Sequence, residues 1–218
     1  MTTIKQKTCK ECKCKFTPVR STLEPVCQEY NCRVAYALKV AEKSKLNKEK
    51  AIKKQNAKEK IELKEKLKTL TDWHNDLQKE INTIIRLIDK DHLCISSQRP
   101  LGKSFDAGHL YSRGSNPHIR YHLFNIFAQS VHDNQWKSGN LLDFVDGIEK
   151  VFGTEIKEYC LKLKGQPNIK LSSEDIKEKI PIARGIVKWL KLQDRKFTIN
   201  ERIYYRDKFN KELGIYKD

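Results

Sequence analysis

A chain of 218 residues with 38% hydrophobic and 33% charged side chains has room for one ordinary domain plus an extension, or for two small domains, and no run in it approaches the roughly 18 apolar residues of a membrane span. The formal net charge of +16 points to a polyanionic partner, nucleic acid ahead of an anionic membrane surface. The opening MTTIKQKTCK lacks the apolar core of a secretory signal, so the cytoplasm is the expected compartment, and the seven Cys are expected to be reduced rather than paired in disulfides.

In chain order, CKECKCKFTPVRSTLEPVCQEYNC comes first and places Cys9 and Cys12 in a C-x2-C knuckle and Cys27 and Cys32 in a C-x4-C pair. Four thiolates at this spacing close a tetrahedral zinc site of the structural kind, with Cys14 left over. A module of residues 1–33 is too small to fold by burial alone, and metal binding, worth about 10–16 kcal/mol in zinc-finger peptides, supplies the stability. Residues 34–70 hold neither Gly nor Pro and are built from Ala, Lys, Glu and Leu, with apolar positions too sparse for a heptad seam. They read as a long, solvated basic helix whose lysines, Lys53 and Lys54 among them, can lie along phosphates.

Thr71 is placed to cap the helix DWHNDLQKEINTIIRLIDK, in which Trp73, Leu77, Ile81, Ile84, Ile85 and Ile88 share one face. Gly102, Gly108, Gly114 and Pro117 punctuate residues 93–140, which read as hairpin and loop, and the alternating IRYHLF at 119–124 reads as a short strand. Asn140 is expected to cap LLDFVDGIEKVFG, and Gly165 to end a short helix in which Cys160 is a buried small apolar residue. Ser172 or Ser173 caps a further helix that Pro181 is expected to kink or break, and Thr198 with Glu201 opens the last helix up to Gly214.

The stretches FDAGHLYSRGSNP and LFNIFAQSVHDNQWKSGN concentrate small polar side chains. Phosphodiester hydrolysis needs a base for water, a divalent cation for the developing charge and donors for the phosphate. His109 on the expected hairpin, Asn125 at the end of the next strand, and Asn134 with Lys137 at a helix start form a ββα-metal layout.

On these residues, DAGH, LFNIFAQ and N-x-x-K-S-G-N, the chain resembles the His-Asn-His nuclease superfamily, and more narrowly the NinG (Rap) recombination proteins of lambdoid phages. IIRLIDKDHLCIS and the N-terminal Cys segment extend the resemblance over roughly residues 7–150. The expected fold is α+β and mostly helical: a four-cysteine zinc module (1–33), a basic helical arm (34–70), a small core (71–153) that the resemblance implies is a nuclease, and a C-terminal region (154–218) that its own caps and apolar spacing make helical. The resemblance gives His109 the general-base place, Asn125 the orienting place, Asn134 a metal place and Lys137 the phosphate contact. Asp106 is the expected further metal ligand, ahead of His118, His122 and His132, and oxygen donors of this kind suit Mg or Mn. Arg113 and Arg120 are expected DNA contacts. The family carries two Cys knuckles in its core, whereas this chain has Cys94, Ser97, Ser130 and Asp133 there. A core zinc is therefore not expected, and packing by Trp136 and Phe127 is expected to replace it.

The implied activity is a metal-dependent endonuclease acting on branched recombination intermediates such as Holliday junctions or D-loops, in a bacterial host's cytoplasm. A homodimer and recombination proteins are the partners it implies besides DNA. The alternative is a catalytically degenerate DNA-binding accessory protein.

Overall fold

The structure, a computed structural model, describes residues 5–216 and divides into two compact units, Met1–Leu67 and Lys68–Asp218.

In the first unit, β1 (Lys7–Thr8) and β2 (Lys15–Phe16) pair antiparallel and flank the Cys9–Cys12 knuckle. Lys13 takes a left-handed conformation (φ 66°), and its amide returns to the Cys9 carbonyl at 3.1 Å, which closes the turn. The Glu24 carboxylate accepts the Val19 and Arg20 amides and ties down the intervening loop. Helix α1 (Tyr30–Lys66) follows for 37 residues, about 55 Å, and buries only Cys32. Strong helix formers and i,i+4 pairs such as Lys58–Glu62 support it, each pair worth only a few tenths of a kcal/mol. Lys53 and Lys54 stand exposed on it, as expected.

The second unit begins with α2 (Leu70–Ile88). Its cap is Thr69 rather than Thr71. Asp72 lies three residues beyond Thr69 and completes a reciprocal capping box, whereas Thr71 would have His74 in that place. The apolar face Leu77, Ile81, Ile84, Ile85 and Ile88 is fully buried against Ile176, Ile180, Ala183, Ile186 and Leu190 of α5 (Ser173–Gln193). Pro181 does not break α5. It sits on the exposed side, where the carbonyl it strands meets water, while Ile180 and Ala183 keep both halves packed on α2.

Strand β3 (Phe105–His109) pairs antiparallel with β4 (Ile126–Ser130), His109 opposite Ile126. The expected strand at 119–124 is instead loop between single turns at Pro117–Ile119 and Leu123–Asn125. Pro117 starts the first turn, and the alternation of IRYHLF arises because Ile119, Tyr121, Leu123 and Phe124 are buried in two different cores. Side chains of β4 alternate across the hairpin: Ile126 joins the α2–α5 core, and Phe127 packs with Phe144, Ile148 and Phe152 of α3 (Leu141–Phe152) and Cys160 of α4 (Thr154–Lys162). Asn140 takes the N-cap position of α3, as expected, in a left-handed conformation (φ 47°), but its side-chain amide donates to Asp133 and Asp143 and makes no capping bond. The turn His132–Trp136 closes with an i→i+5 bond, Lys137 N to His132 O, so Asn134 lies on a π-turn ahead of α3 and not at a helix start.

Helix α6 (Ile199–Leu213) forms with the expected Thr198–Glu201 box and ends at Gly214 (φ 58°). It supplies Arg202 and Arg206, which reach buried Asp89 at 2.9 and 2.7 Å. Asp89 also accepts the Ala128 amide of β4, and the Arg206 guanidinium lies 4.6 Å from the Phe127 ring centroid. Residues 71–153 and 154–218 thus share their cores and one buried ion cluster.

Candidate active site

Strand β3, the π-turn and one face of α2 enclose a cleft of about 430 Å³ lined by Asp106, His109, Asn134, Arg113, Asn82 and Arg86, among others. The hairpin register places Asp106 and His109 on the same strand, and the π-turn swings Asn134 back over it. Asn134 Nδ2 donates to Asp106 Oδ2 at 2.8 Å, and Gln135 Nε2 donates to the same oxygen at 2.9 Å. Gly108 permits the close pairing: a methyl there would collide with Gln129 Oε1. The Gln129 amide in turn donates to Ser96 Oγ and to the Gly139 carbonyl, both at 2.7 Å, linking the hairpin to the π-turn.

His109 is largely buried, with Nε2 at 3.3 Å from both the Arg120 carbonyl and Gln78 Nε2. Burial lowers its pKa to about 4, and the positive charge of Arg113 adds to the shift. The ring is therefore neutral at neutral pH. Nε2 faces both an acceptor, the Arg120 carbonyl, and a donor, the Gln78 amide, and the Ala107 carbonyl also accepts from the ring, so one ring nitrogen carries the proton and the other the lone pair. Asn125, fully buried, does not touch this ring. Its side chain clamps the connecting loop, accepting from Tyr111 N at 2.9 Å and donating to Tyr111 O and Ile119 O.

The structure does not bring every expected site residue to this cleft. Lys137 lies in a neighbouring depression with Arg99, His132 and Asp133, and pairs with Asp133 at 3.5 Å. Arg120 turns its guanidinium to Gln78 Oε1 and the Tyr121 ring, so it braces the His109 surroundings. Lys53 and Lys54 belong to the other compact unit. His122 is buried among Phe124, Tyr159 and Tyr216, His118 meets the Lys164 carbonyl, and His132 lines the neighbouring depression. Gln78, Asn82 and Arg86 are neighbours of the cleft that sequence reasoning missed. Their signal in the sequence is the polar side of α2, opposite its isoleucines.

At the degenerate knuckles, the four side chains converge in a hydrogen-bonded cluster. Ser130 Oγ donates to Asp133 Oδ2 at 2.7 Å, Cys94 Sγ lies 3.3 Å from the same oxygen, and Ser130 N points to Cys94 Sγ. Burial resists ionisation of Asp133, yet hydrogen bonds from Ser130, Ser97, Cys94 and Asn140 hold its carboxyl well below the usual range. One thiol, two hydroxyls and an already engaged carboxylate do not fit zinc. The expected replacement by Trp136 and Phe127 is not what the structure shows: Trp136 is 80% exposed and Phe127 belongs to the α3 core, so hydrogen bonds take the metal's place.

The N-terminal cysteines fit zinc well. The sulfurs of Cys9, Cys12, Cys27 and Cys32 all lie within 4.8 Å of one another, with Cys12 and Cys27 at 3.7 Å. Tetrahedral Zn–S bonds of about 2.3 Å put sulfurs about 3.8 Å apart. Burial resists ionisation of Cys9, but amides of Cys27, Cys12 and Glu11 bring its thiol down to about 6. Burial and the neighbouring thiols push Cys32 up to about 12, so the quartet ionises fully only around a cation.

Comparison with known proteins gives the chain a family. Residues 1–193 match the family described as "NinG: Bacteriophage Lambda NinG protein". The chain is similar to protein ninG of Escherichia phage 933W, 38% identical over 141 residues (62% of this chain and 70% of that protein). It is also similar to protein ninG of Enterobacteria phage H19B, 38% identical over 78 residues (36% and 39%), and to that of Escherichia phage lambda, 37% identical over 78 residues (36% and 38%). The matched segment thus spans about two fifths of the H19B and lambda proteins. No solved structure matches the chain. With a family match over most of its length, the chain belongs to the bacteriophage lambda NinG protein family.

Proposed function

We propose that this NinG-family protein is a metal-dependent endonuclease that cuts DNA at branch points in the cytoplasm of a bacterial host. The observation that carries the reading is the convergence of His109, Asp106 and Asn134 on one cleft. Asp106 and Asn134 offer hard oxygen donors, and two of these with water completing the shell suit Mg or Mn. Bound there, such an ion would offset the charge that builds on the phosphate. The cleft has too few carboxylates for a two-ion clamp.

His109, neutral at neutral pH, accepts a proton from the attacking water at its unprotonated ring nitrogen. Asn125 fixes the loop that follows the base and acts as a positioning residue. Arg113, exposed at the cleft and next to His109, supplies a guanidinium to the phosphate. The zinc module and the lysines of α1 contact the sugar–phosphate backbone of the branch without reading base edges.

The test is a cleavage assay on linear, forked and four-way DNA with Mg, Mn or a chelator. Nicking of the branched substrates that needs the metal, and that His109→Ala abolishes while leaving binding intact, is the expected result. A wild-type protein that binds these substrates but cuts none of them with either ion overturns the nuclease reading and leaves a DNA-binding recombination accessory protein.

A further inference from the structure

A second depression of about 260 Å³ adjoins the His109 cleft and shares Asn82, Arg86 and Arg113 with it. Its lining is Asn75, Gln78, Lys79, Asn82, Arg86 and Arg113. Every one of these side chains carries N–H donors, and none is a carboxylate or an apolar group. Four of them, Asn75, Lys79, Asn82 and Arg86, recur at intervals of four, three and four on α2, which sets them along one face opposite the buried isoleucines. Among the described residues, Lys79, Arg86 and Arg113 have no carboxylate within ion-pair distance, whereas Glu80, also on α2, is engaged by Arg184 at 3.2 Å. Three cations with no carboxylate partner on one donor-only surface suit an extended anion, whose successive charges can meet each of them.

We infer that this α2 face, with Arg113, is the track along which one strand's sugar–phosphate backbone runs out of the cleft. The inference rests on the reading of the cleft as a DNA site and adds the strand's course and its contacts. From Asn75 to Arg86 the face rises about 16 Å, the rise of roughly five nucleotides of duplex. Arg86 stands where the two depressions meet, half-buried and steadied by a 3.0 Å bond to Thr83 Oγ1, and takes the phosphate nearest the cleft, the place the sequence had offered to Lys137. Amides and cations recognise phosphate oxygens irrespective of base, so the track is indifferent to sequence.

The test measures binding of a fluorescent forked duplex to the full zinc-loaded chain, across a salt series and without divalent ion. Lys79→Ala and Arg113→Ala, both at exposed positions, are compared with Lys188→Ala on α5, which lines neither depression. Each track variant is expected to weaken binding severalfold and to reduce the slope of log K against log salt by about 0.7–0.9, the loss of one phosphate contact. Lys188→Ala is expected to match the wild type. A slope unchanged in Lys79→Ala, or reduced equally in Lys188→Ala, overturns the track. Because no catalytic ion is present, the measurement reads the track even in a protein that never cuts. A wild type that cuts while Lys79→Ala keeps its full slope refutes the track and spares the nuclease.

Discussion

His109 is held by its environment as much as by its own backbone. Burial and the nearby Arg113 guanidinium keep the imidazole neutral down to about pH 4. A base whose pKa falls from about 6.5 to about 4 stays unprotonated across the range where a free His would lose its lone pair. If His109 serves as the proposed base, the acid limb of a pH–rate profile for DNA cleavage is expected near pH 4, and a limb near 6.5 would mean a solvated ring. The same depressed pKa makes folding weaken as the pH falls from about 6.5 toward 4, since the unfolded chain takes up the proton more readily. Gly108, beside it, answers to space and not to an unusual φ. Gly108→Ala is expected to push Gln129 off the hairpin at a cost of about 1–3 kcal/mol, read by denaturant unfolding.

Among the elements, the loop that joins β3 to β4 is clamped by the Asn125 amide. Asn125→Ala strands Tyr111 N and Tyr111 O, while Ile119 O keeps the His122 amide, and at about 1 kcal/mol for each lost partner it is expected to destabilise the second unit by roughly 2 kcal/mol. The four-cysteine module belongs to the other compact unit. Chelation is expected to release one zinc per chain and to unfold the Cys9–Cys32 region while the thermal transition of the second unit stays in place. Two zinc ions per chain would contradict the hydrogen-bonded reading of the Cys94 cluster. The elements legible in the sequence were those written in local chemistry: the C-x2-C and C-x4-C spacing, the Gly- and Pro-free α1, the isoleucine face of α2 and the Thr198–Glu201 box. The strand at 119–124 misled because period-two burial can arise from a loop wedged between two cores. The break expected at Pro181 failed because tertiary packing outweighed one missing hydrogen bond. His109, Asp106 and Asn134 were named together on the strength of a resemblance carried by short local motifs, and all three line one cleft. Arg86 and Lys79 carry no such motif, because only the tertiary docking of α2 brings Arg86 to the cleft and Lys79 to the depression beside it.

On the scale of the molecule, the α2–α5 pairing, the hairpin and α6 are joined through Asp89. Burial works against its charge, but Arg202 and Arg206 hold the carboxyl at about 2, so this contribution to stability is complete above about pH 4 and disappears as the pH falls toward 2. Arg206→Ala leaves Asp89 with one fewer cation in a fully buried place and is expected to cost about 3–5 kcal/mol, seen as a lower urea midpoint. The surface pairs, such as Lys211–Asp207, are expected to matter little when removed.

Arg206 also donates to the carbonyl of Leu123, just ahead of β4, although it comes far later in the chain than His109. During synthesis, then, the strand that faces the imidazole waits for a guanidinium supplied 83 residues after Leu123. A polypeptide cut short before α6 carries the DAGH phrase without the clasp that shapes β4, so its β3–β4 amides are expected to exchange with solvent far faster than those of the full chain.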